Sequence, residues 1–167
     1  MKKTVFVILS AILVLSMFLA GSATSVSARE PKILEFDTMV GVPSGLTGTQ
    51  SPIRGINGGG VPWVLTSAHG ELKTSGKLEI EVQGLVLATT LSNPSANFRA
   101  IVSCLNSDGS VAAPVVTGQF SATTGLASAG GGNAKIDATV TLPHPCIAPI
   151  IFVTNGGGTA WFAVTGN

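Results

Sequence analysis

The sequence predicts an all-β domain built as an antiparallel β-sandwich of about seven or eight strands. Apolar and polar residues alternate strictly in residues 77–83 and again in residues 135–142, and this period is typical of a strand with one buried face. No window of eleven or more residues after residue 28 has the apolar stripe of a helix. Strands with one apolar face need a second sheet to cover them, which favours a Greek-key or immunoglobulin-like sandwich over a jelly roll or a small barrel.

The predicted strands follow one another along the whole chain after residue 28. Residues 66–87 are predicted to form a hairpin around the turn Thr74-Ser75-Gly76. Residues 98–104 alternate with the exception of Ile101, and the turn at residues 106–109 ends that strand. Further strands are predicted at residues 33–40, 111–120, 150–154 and 161–165, with long loops rich in Gly, Ser and Thr at 41–61 and 121–134.

The first 28 residues have the pattern of a cleaved secretory signal peptide. Lys2 and Lys3 precede an apolar run over residues 5–20, and a polar stretch of small residues follows. Val26 and Ala28 are small residues at the two positions that signal peptidase reads, so cleavage is predicted after residue 28. The protein is therefore expected to be secreted or periplasmic, and not inserted in a membrane after cleavage.

The remaining residues, 29–167, are long enough for a single domain with its own core. They lose Lys2 and Lys3 from the nine basic residues of the chain and keep all eight acidic ones, so their formal charge is −1. A balance of this kind gives no electrostatic reason to expect nucleic acid as a partner. Charge is also scarce, and this leaves few groups for acid–base chemistry. We therefore expect a non-catalytic binding or structural module, whose partner is a carbohydrate or another extracellular protein.

The only two cysteines, Cys104 and Cys146, are predicted to form a disulfide. Export places them where disulfides persist, and their spacing fits no metal motif. Cys104 also falls on the inward face of the alternating strand over residues 98–104. Two buried free thiols are the alternative.

A short internal repeat suggests candidate binding residues. Residues 57–63 and 155–161 both have the sequence N-G-G-G-x-x-W, and they contain the only tryptophans, Trp63 and Trp161. In the first interpretation the glycines form turns and each tryptophan begins a core strand. In the second, flexible loops present two aromatic rings to a ligand such as a sugar, and His69 is a third candidate binding residue.

No set of residues amounts to a predicted catalytic site, metal site or cofactor site. Ser67, His69 and Glu71 alternate along one strand, about 6.6 Å apart in pairs, which is too far for side chains that point the same way to form hydrogen bonds. A secreted hydrolase or metal-dependent enzyme with a site assembled around Asp37, His69 and Glu71, with Arg99 as a further candidate, is the alternative. Catalytic groups often lie on separate loops that a rigid scaffold brings together.

Overall fold

A computed structural model describes residues 29–165. The predicted signal peptide, residues 1–28, lies outside the described residues. The antiparallel sandwich is confirmed. Seven strands of five or more residues carry the fold: β1 (Lys32–Phe36), β4 (Ser67–Lys73), β5 (Lys77–Gln83), β8 (Asn97–Leu105), β12 (Ala134–Thr139), β13 (Ile147–Asn155) and β14 (Trp161–Thr165).

Shorter strands and two single turns of 3-10 helix complete the part of the chain that the structure describes. The short strands are β2 (Met39–Gly41), β3 (Trp63–Val64), β6 (Val86–Leu87), β7 (Ser92–Asn93), β9 (Val115–Val116), β10 (Phe120–Ser121) and β11 (Gly125–Leu126). The 3-10 turns cover Ser44–Leu46 and Ala127–Ala129. None of the short strands exceeds three residues, so the seven long strands determine the architecture.

The long strands are divided between two antiparallel sheets that face each other. One sheet has four strands in the order β1-β4-β5-β12, and the other has the order β10-β8-β13-β14-β2 with β9 paired to β8. If the seven long strands are lettered A to G, the sheets contain A, B, C, E and D, F, G. The immunoglobulin constant arrangement has A, B, E, D and C, F, G. The sheets of this protein differ from that arrangement, because the third long strand, β5, lies beside the second in the four-stranded sheet and the fourth, β8, lies in the other sheet.

The predicted hairpin over residues 66–87 is confirmed as β4 and β5. Gly76 closes its turn with a φ of +86°, and its amide donates a hydrogen bond of 2.9 Å to the Lys73 carbonyl. A Cβ at this position would lie 1.8 Å from the carbonyl oxygen of Val140. Glycine is therefore required at residue 76 both by the left-handed backbone and by the close approach of a neighbouring segment.

Two of the predicted strands are interrupted. Residues 33–40 divide at Asp37 and Thr38, so that β1 belongs to the four-stranded sheet and β2 to the other. Residues 111–120 contain only the two-residue strands β9 and β10. Pro114 cannot donate a ladder hydrogen bond, and Gly118 separates the two short strands. The alternation of apolar residues therefore overestimates the length of both strands.

Aromatic side chains fill the interior beside the edge strand β2. Trp63 stacks on Phe162 with ring centroids 3.8 Å apart, and Phe98 packs edge-on against Phe162 at 6.0 Å. Trp161 packs at a tilt against Phe152, at 6.2 Å. Both tryptophans are buried, with 4% of Trp63 and 0% of Trp161 exposed. The first interpretation of the repeat, in which each tryptophan begins a core strand, describes their position.

The two copies of the repeat lie against each other. The amide of Trp161 donates to the Asn57 carbonyl at 2.9 Å, and the amide of Gly59 donates to the Trp161 carbonyl at 2.8 Å. Gly58 is required by packing, because a Cβ there would lie 2.1 Å from the Leu46 carbonyl oxygen. In the second copy, Gly158 has a φ of +69° and closes a turn. The N-G-G-G segment thus has a different structural role in each copy: close packing in the first and a turn in the second.

Cys104 and Cys146 form the predicted disulfide. Cys104 lies near the end of β8 and Cys146 directly before β13, and their Cα atoms are 4.9 Å apart. The bond joins neighbouring strands of one sheet, whereas the immunoglobulin disulfide joins the two sheets. A bonded pair is typical of an oxidising compartment outside the cytosol. Within residues 29–165, no helix has the length and hydrophobicity needed to cross a bilayer.

Candidate functional site

The charged side chains are concentrated on one side of the sandwich. Residues 29–165 contain fifteen charged side chains, and three of them lie on the side of the six-stranded sheet: Arg54, Arg99 and Asp108. Twelve lie on the four-stranded sheet or next to β1: Arg29, Glu30, Lys32, Glu35, Asp37, Glu71, Lys73, Lys77, Glu79, Glu81, Lys135 and Asp137. Seven of these twelve are acidic and five basic, so this side has a formal charge of −2.

Four carboxylates form a row across all four strands of this sheet. The strand register places Glu35 opposite Glu71, Glu71 opposite Glu79, and Glu79 opposite Asp137. We call this set the carboxylate row. Like charges directly opposite each other destabilise an antiparallel pair of strands. The row therefore needs cations close to it.

Lysines beside the carboxylate row supply those cations. Lys32 Nζ lies 2.6 Å from a carboxylate oxygen of Glu35 and 2.6 Å from one of Glu71, and Lys73 Nζ lies 2.9 Å from Glu71. Lys77 pairs with Glu79. The hydrogen bonds from Lys32 and then Lys73 lower the pKa of Glu71 to about 2. The pKa values of Lys32 and Lys77 are raised in turn, chiefly by their hydrogen bonds to Glu35 and Glu79.

A second row of ionisable side chains runs parallel to the first. His69 lies opposite Glu81, and Glu81 lies opposite Lys135. His69 Nε2 is 3.8 Å from Glu81 Oε2, and 58% of the histidine side chain is exposed. Asp37, just after β1, lies at the end of this second row. Carboxylates thus approach the space between the two rows from both sides.

A shallow groove of about 220 Å³ lies between the two rows. Its floor consists of Phe36, Gly70 and Ile80, which the register places side by side. A Cβ at residue 70 would lie 2.3 Å from the Glu79 carbonyl oxygen and 2.7 Å from the Phe36 ring. Glycine at this position therefore lets the ring of Phe36 close the floor. We call this space the charged groove.

The ion pairs of Glu71 should make stability sensitive to acid. The folded pKa of about 2 lies below the ordinary value of about 4.3 in an unfolded chain. The stabilisation is therefore complete above that ordinary value and is lost as the pH falls through the folded pKa. We expect the urea midpoint to fall less steeply between pH 5 and pH 2 in Glu71→Gln than in the wild type. High salt should weaken the difference, because exposed ion pairs are screened. Identical slopes in the two proteins would contradict this assignment.

The structure brings together three of the side chains singled out from the sequence. Asp37, His69 and Glu71 line the charged groove, whereas Arg99 lies on β8 in the other sheet. Trp63 and Trp161 are buried and offer no ring face to a ligand. Glu79, Glu81 and Lys135 also line the groove and were not singled out. The alternation in residues 77–83 had placed the two glutamates on a solvent face, but it could not identify the strands beside them.

Within the described ranges, no three His, Cys, Asp or Glu side chains are arranged to hold a metal ion. No family model, curated protein or solved structure matches the chain.

Proposed function

We propose that the protein is an exported, non-catalytic binding module that recognises an extracellular protein partner through the charged groove. Export would remove the predicted signal peptide, residues 1–28, and leave the single domain of residues 29–167. One lysine and five carboxylates line the groove: Lys135, Glu35, Asp37, Glu71, Glu79 and Glu81. Such a lining suits a partner segment that carries lysine or arginine side chains, because complementary charge favours encounter and sets register.

The observation that carries the proposal is the confinement of charge to one side. Only 10% of the residues in the chain are charged, against about a quarter in an average protein. A chain that needed charge only for solubility would have no reason to collect twelve of fifteen charged side chains on one side of the sandwich. Five carboxylates line the groove, against Lys135 in its lining and Lys32, Lys73 and Lys77 beside it. The remaining excess of negative charge concentrates ligands of the opposite sign. The concentration of carboxylates around a concave surface therefore supports a binding role.

A protein partner is better supported than a carbohydrate. Sugar-binding surfaces commonly present exposed aromatic rings, since a ring has an apolar face and carries little conformational entropy. The chain has no tyrosine, and both tryptophans are buried. Four of the five phenylalanines after residue 28 are buried as well, and Phe120 is partly buried. The described surface thus offers little for a sugar ring to stack on.

The hydrolase alternative has one observation in its favour, which is that Asp37, His69 and Glu71 line the same groove. The low pKa of Glu71 argues against a hydrolase. A carboxylate whose pKa is held at about 2 by two lysines is a weak base at neutral pH, whereas a general base needs a pKa near the operating pH. The carboxylate nearest to His69 is Glu81, at 3.8 Å, which exceeds the hydrogen-bond distance expected for a histidine that a carboxylate orients. The arrangement favours binding.

Peptides of defined charge test the proposal. The protein is expressed as the full-length chain, purified after export, and titrated with fluorescent oligolysine, oligoglutamate and glycine–serine peptides of equal length. We expect oligolysine to bind most tightly. Replacing Glu79→Gln or Glu81→Gln should weaken that binding about two- to fivefold for each carboxylate, the range expected for exposed ion pairs.

Asp108→Asn is the matched control, since it removes the same charge from the only acidic residue on the other side of the described domain. It should leave oligolysine binding unchanged. Equal affinities for the three peptides would contradict the proposal. So would an effect of Asp108→Asn as large as that of the groove variants.

A further inference from the structure

Arg99 occupies an unusual position on the side of the sandwich opposite the charged groove. It lies on β8 and pairs in register with Thr154 on β13. Its neighbours Phe98 and Ala100 are fully buried, and alternation along the strand therefore turns Arg99 to the outer face of the six-stranded sheet. A Cβ placed on Gly158 would lie 3.8 Å from Arg99 Cδ and 3.2 Å from Val116 Cγ1. The aliphatic part of Arg99 thus lies next to the second glycine turn.

The guanidinium of Arg99 has no acceptor among the residues described. Its Nε atom is buried without a hydrogen-bond partner, and no carboxylate in residues 29–165 forms a salt bridge with it. Buried polar atoms in folded proteins nearly always have a partner, and an exception calls for an explanation. An anion held by the terminal nitrogens would neutralise the charge of the guanidinium that carries this donor.

Arg54, on the same side of the sandwich, differs from Arg99 because its guanidinium has hydrogen-bond acceptors within the protein. Its two terminal nitrogens donate to the backbone carbonyls of Ser103 and Ala148, at 2.8 and 2.7 Å. Those bonds hold the loop before β3 against β8 and β13, so Arg54 has a structural role. Arg99 makes no comparable contact, which leaves its terminal nitrogens available.

The charge around Arg99 also favours an anion. The one acidic residue on this side, Asp108, accepts hydrogen bonds from Ser110 and follows the far end of β8, at least about 20 Å from Arg99 at the usual rise per residue. The other acidic side chains of the described domain lie on the four-stranded side. A cation without nearby carboxylates attracts anions through the net field around it.

We infer that Arg99 forms an oxyanion-binding site on the outer face of the six-stranded sheet, separate from the charged groove. The planar guanidinium presents parallel N–H donors that match the oxygens of a carboxylate, sulfate or phosphate group. The terminal nitrogens provide these donors, whereas the Nε atom is enclosed by protein atoms. The site recognises an anionic group on a larger ligand, and its position allows a second molecule to bind while the groove is occupied.

The Nε–H resonances of the three arginines after residue 28 test this site in one sample. ¹⁵N-labelled protein, purified after export of the full-length chain, is titrated with sodium acetate, sulfate or phosphate against sodium chloride at equal ionic strength. We expect a saturable shift of the Arg99 Nε–H signal with at least one oxyanion, while Arg54 and Arg29 remain unchanged. Saturation with acetate alone identifies a carboxylate ligand, and saturation with sulfate or phosphate identifies a tetrahedral one.

Substitutions at the two sites distinguish binding at Arg99 from binding at the charged groove. Arg99→Lys keeps the charge and the aliphatic stem but loses the planar fork, and it should weaken oxyanion binding about tenfold, as judged from backbone amide shifts around Gly158. Glu81→Gln in the groove should leave the Arg99 titration unchanged, so the two proposals can fail independently. Parallel, non-saturating shifts of all three arginines would show general ionic effects only and would overturn the inference. The wild-type titration can still overturn the inference even if Arg99→Lys folds poorly.

Discussion

Replacing Trp161 by alanine should lower the free energy of unfolding by about 3–5 kcal/mol, the usual cost of removing a large aromatic side chain from a core. The residue is fully buried, packs against Phe152 and is bordered by the backbone of Asn57 and Gly59. Its neighbours are strands and a loop tied by hydrogen bonds, so they have little freedom to collapse into the cavity. Urea unfolding followed by circular dichroism measures the change.

Trp161→Phe is the informative companion to this variant. The indole N–H of Trp161 is buried without a hydrogen-bond partner in the described part of the chain, so phenylalanine removes an unsatisfied donor while retaining most of the apolar contact. It should cost far less than alanine. Val64→Ala, at a side chain 41% exposed, is the surface control and should change stability by less than about 0.5 kcal/mol. A loss below about 1 kcal/mol for Trp161→Ala would contradict the burial of the indole.

Cys104→Ser should destabilise the protein by about 2–5 kcal/mol, the usual loss for a native disulfide in a small secreted domain. The two cysteines are 42 residues apart, and a loop of that length corresponds to roughly 4 kcal/mol in the chain-entropy model. Removing the bond leaves the unfolded chain freer and so favours unfolding. Denaturant unfolding of the variant and the wild type under non-reducing conditions measures the difference.

Two controls isolate the bond from the side chain that is replaced. Cys146→Ser removes the same bond and should lose about as much stability, and reduced wild-type protein should resemble both variants. The mass of the unreduced protein should be two hydrogens lower than that of its reduced form. Labelling of both thiols in the native protein would contradict the bond.

The sequence predicted individual strands more successfully than the pairing between them. Strict alternation identified β5 and β12 because each has one buried face and one solvated face, a property of the strand itself. The pairing of β12 with β5 joins residues more than fifty positions apart, such as Ile80 and Ile136. No local pattern encodes that pairing. The placement of the third and fourth long strands in different sheets is for the same reason visible only in the structure.

For the candidate site, too, the sequence indicated individual residues but not how they are brought together. Asp37, His69 and Glu71 could be selected by residue type, and the structure places all three at the charged groove. The glutamates of β5 became part of it only through the register of β4 with β5. The lysines that lower the pKa of Glu71 come from β1 and β4, and their effect depends on distances of a few ångströms. Spacing along the chain does not determine such distances.

The glycine repeat shows that two similar sequence segments can have different structural roles. The turn interpretation is correct for Gly158, which has a positive φ. In the first copy, however, Gly58 is required because the Leu46 carbonyl lies where its side chain would be. A sequence reveals where glycine occurs, but close approach and backbone conformation can be told apart only in three dimensions.

The most direct test of the central claim, that the charged groove is the binding surface, is amide shift mapping with an oligolysine peptide. The backbone amides of residues 69–71 and 79–81 should shift most, and in the same concentration range in which the peptide binds. Glu79→Gln and Glu81→Gln should reduce these shifts, while Asp108→Asn should leave them unchanged. Shifts spread evenly over the domain, or concentrated on the six-stranded sheet, would contradict the account.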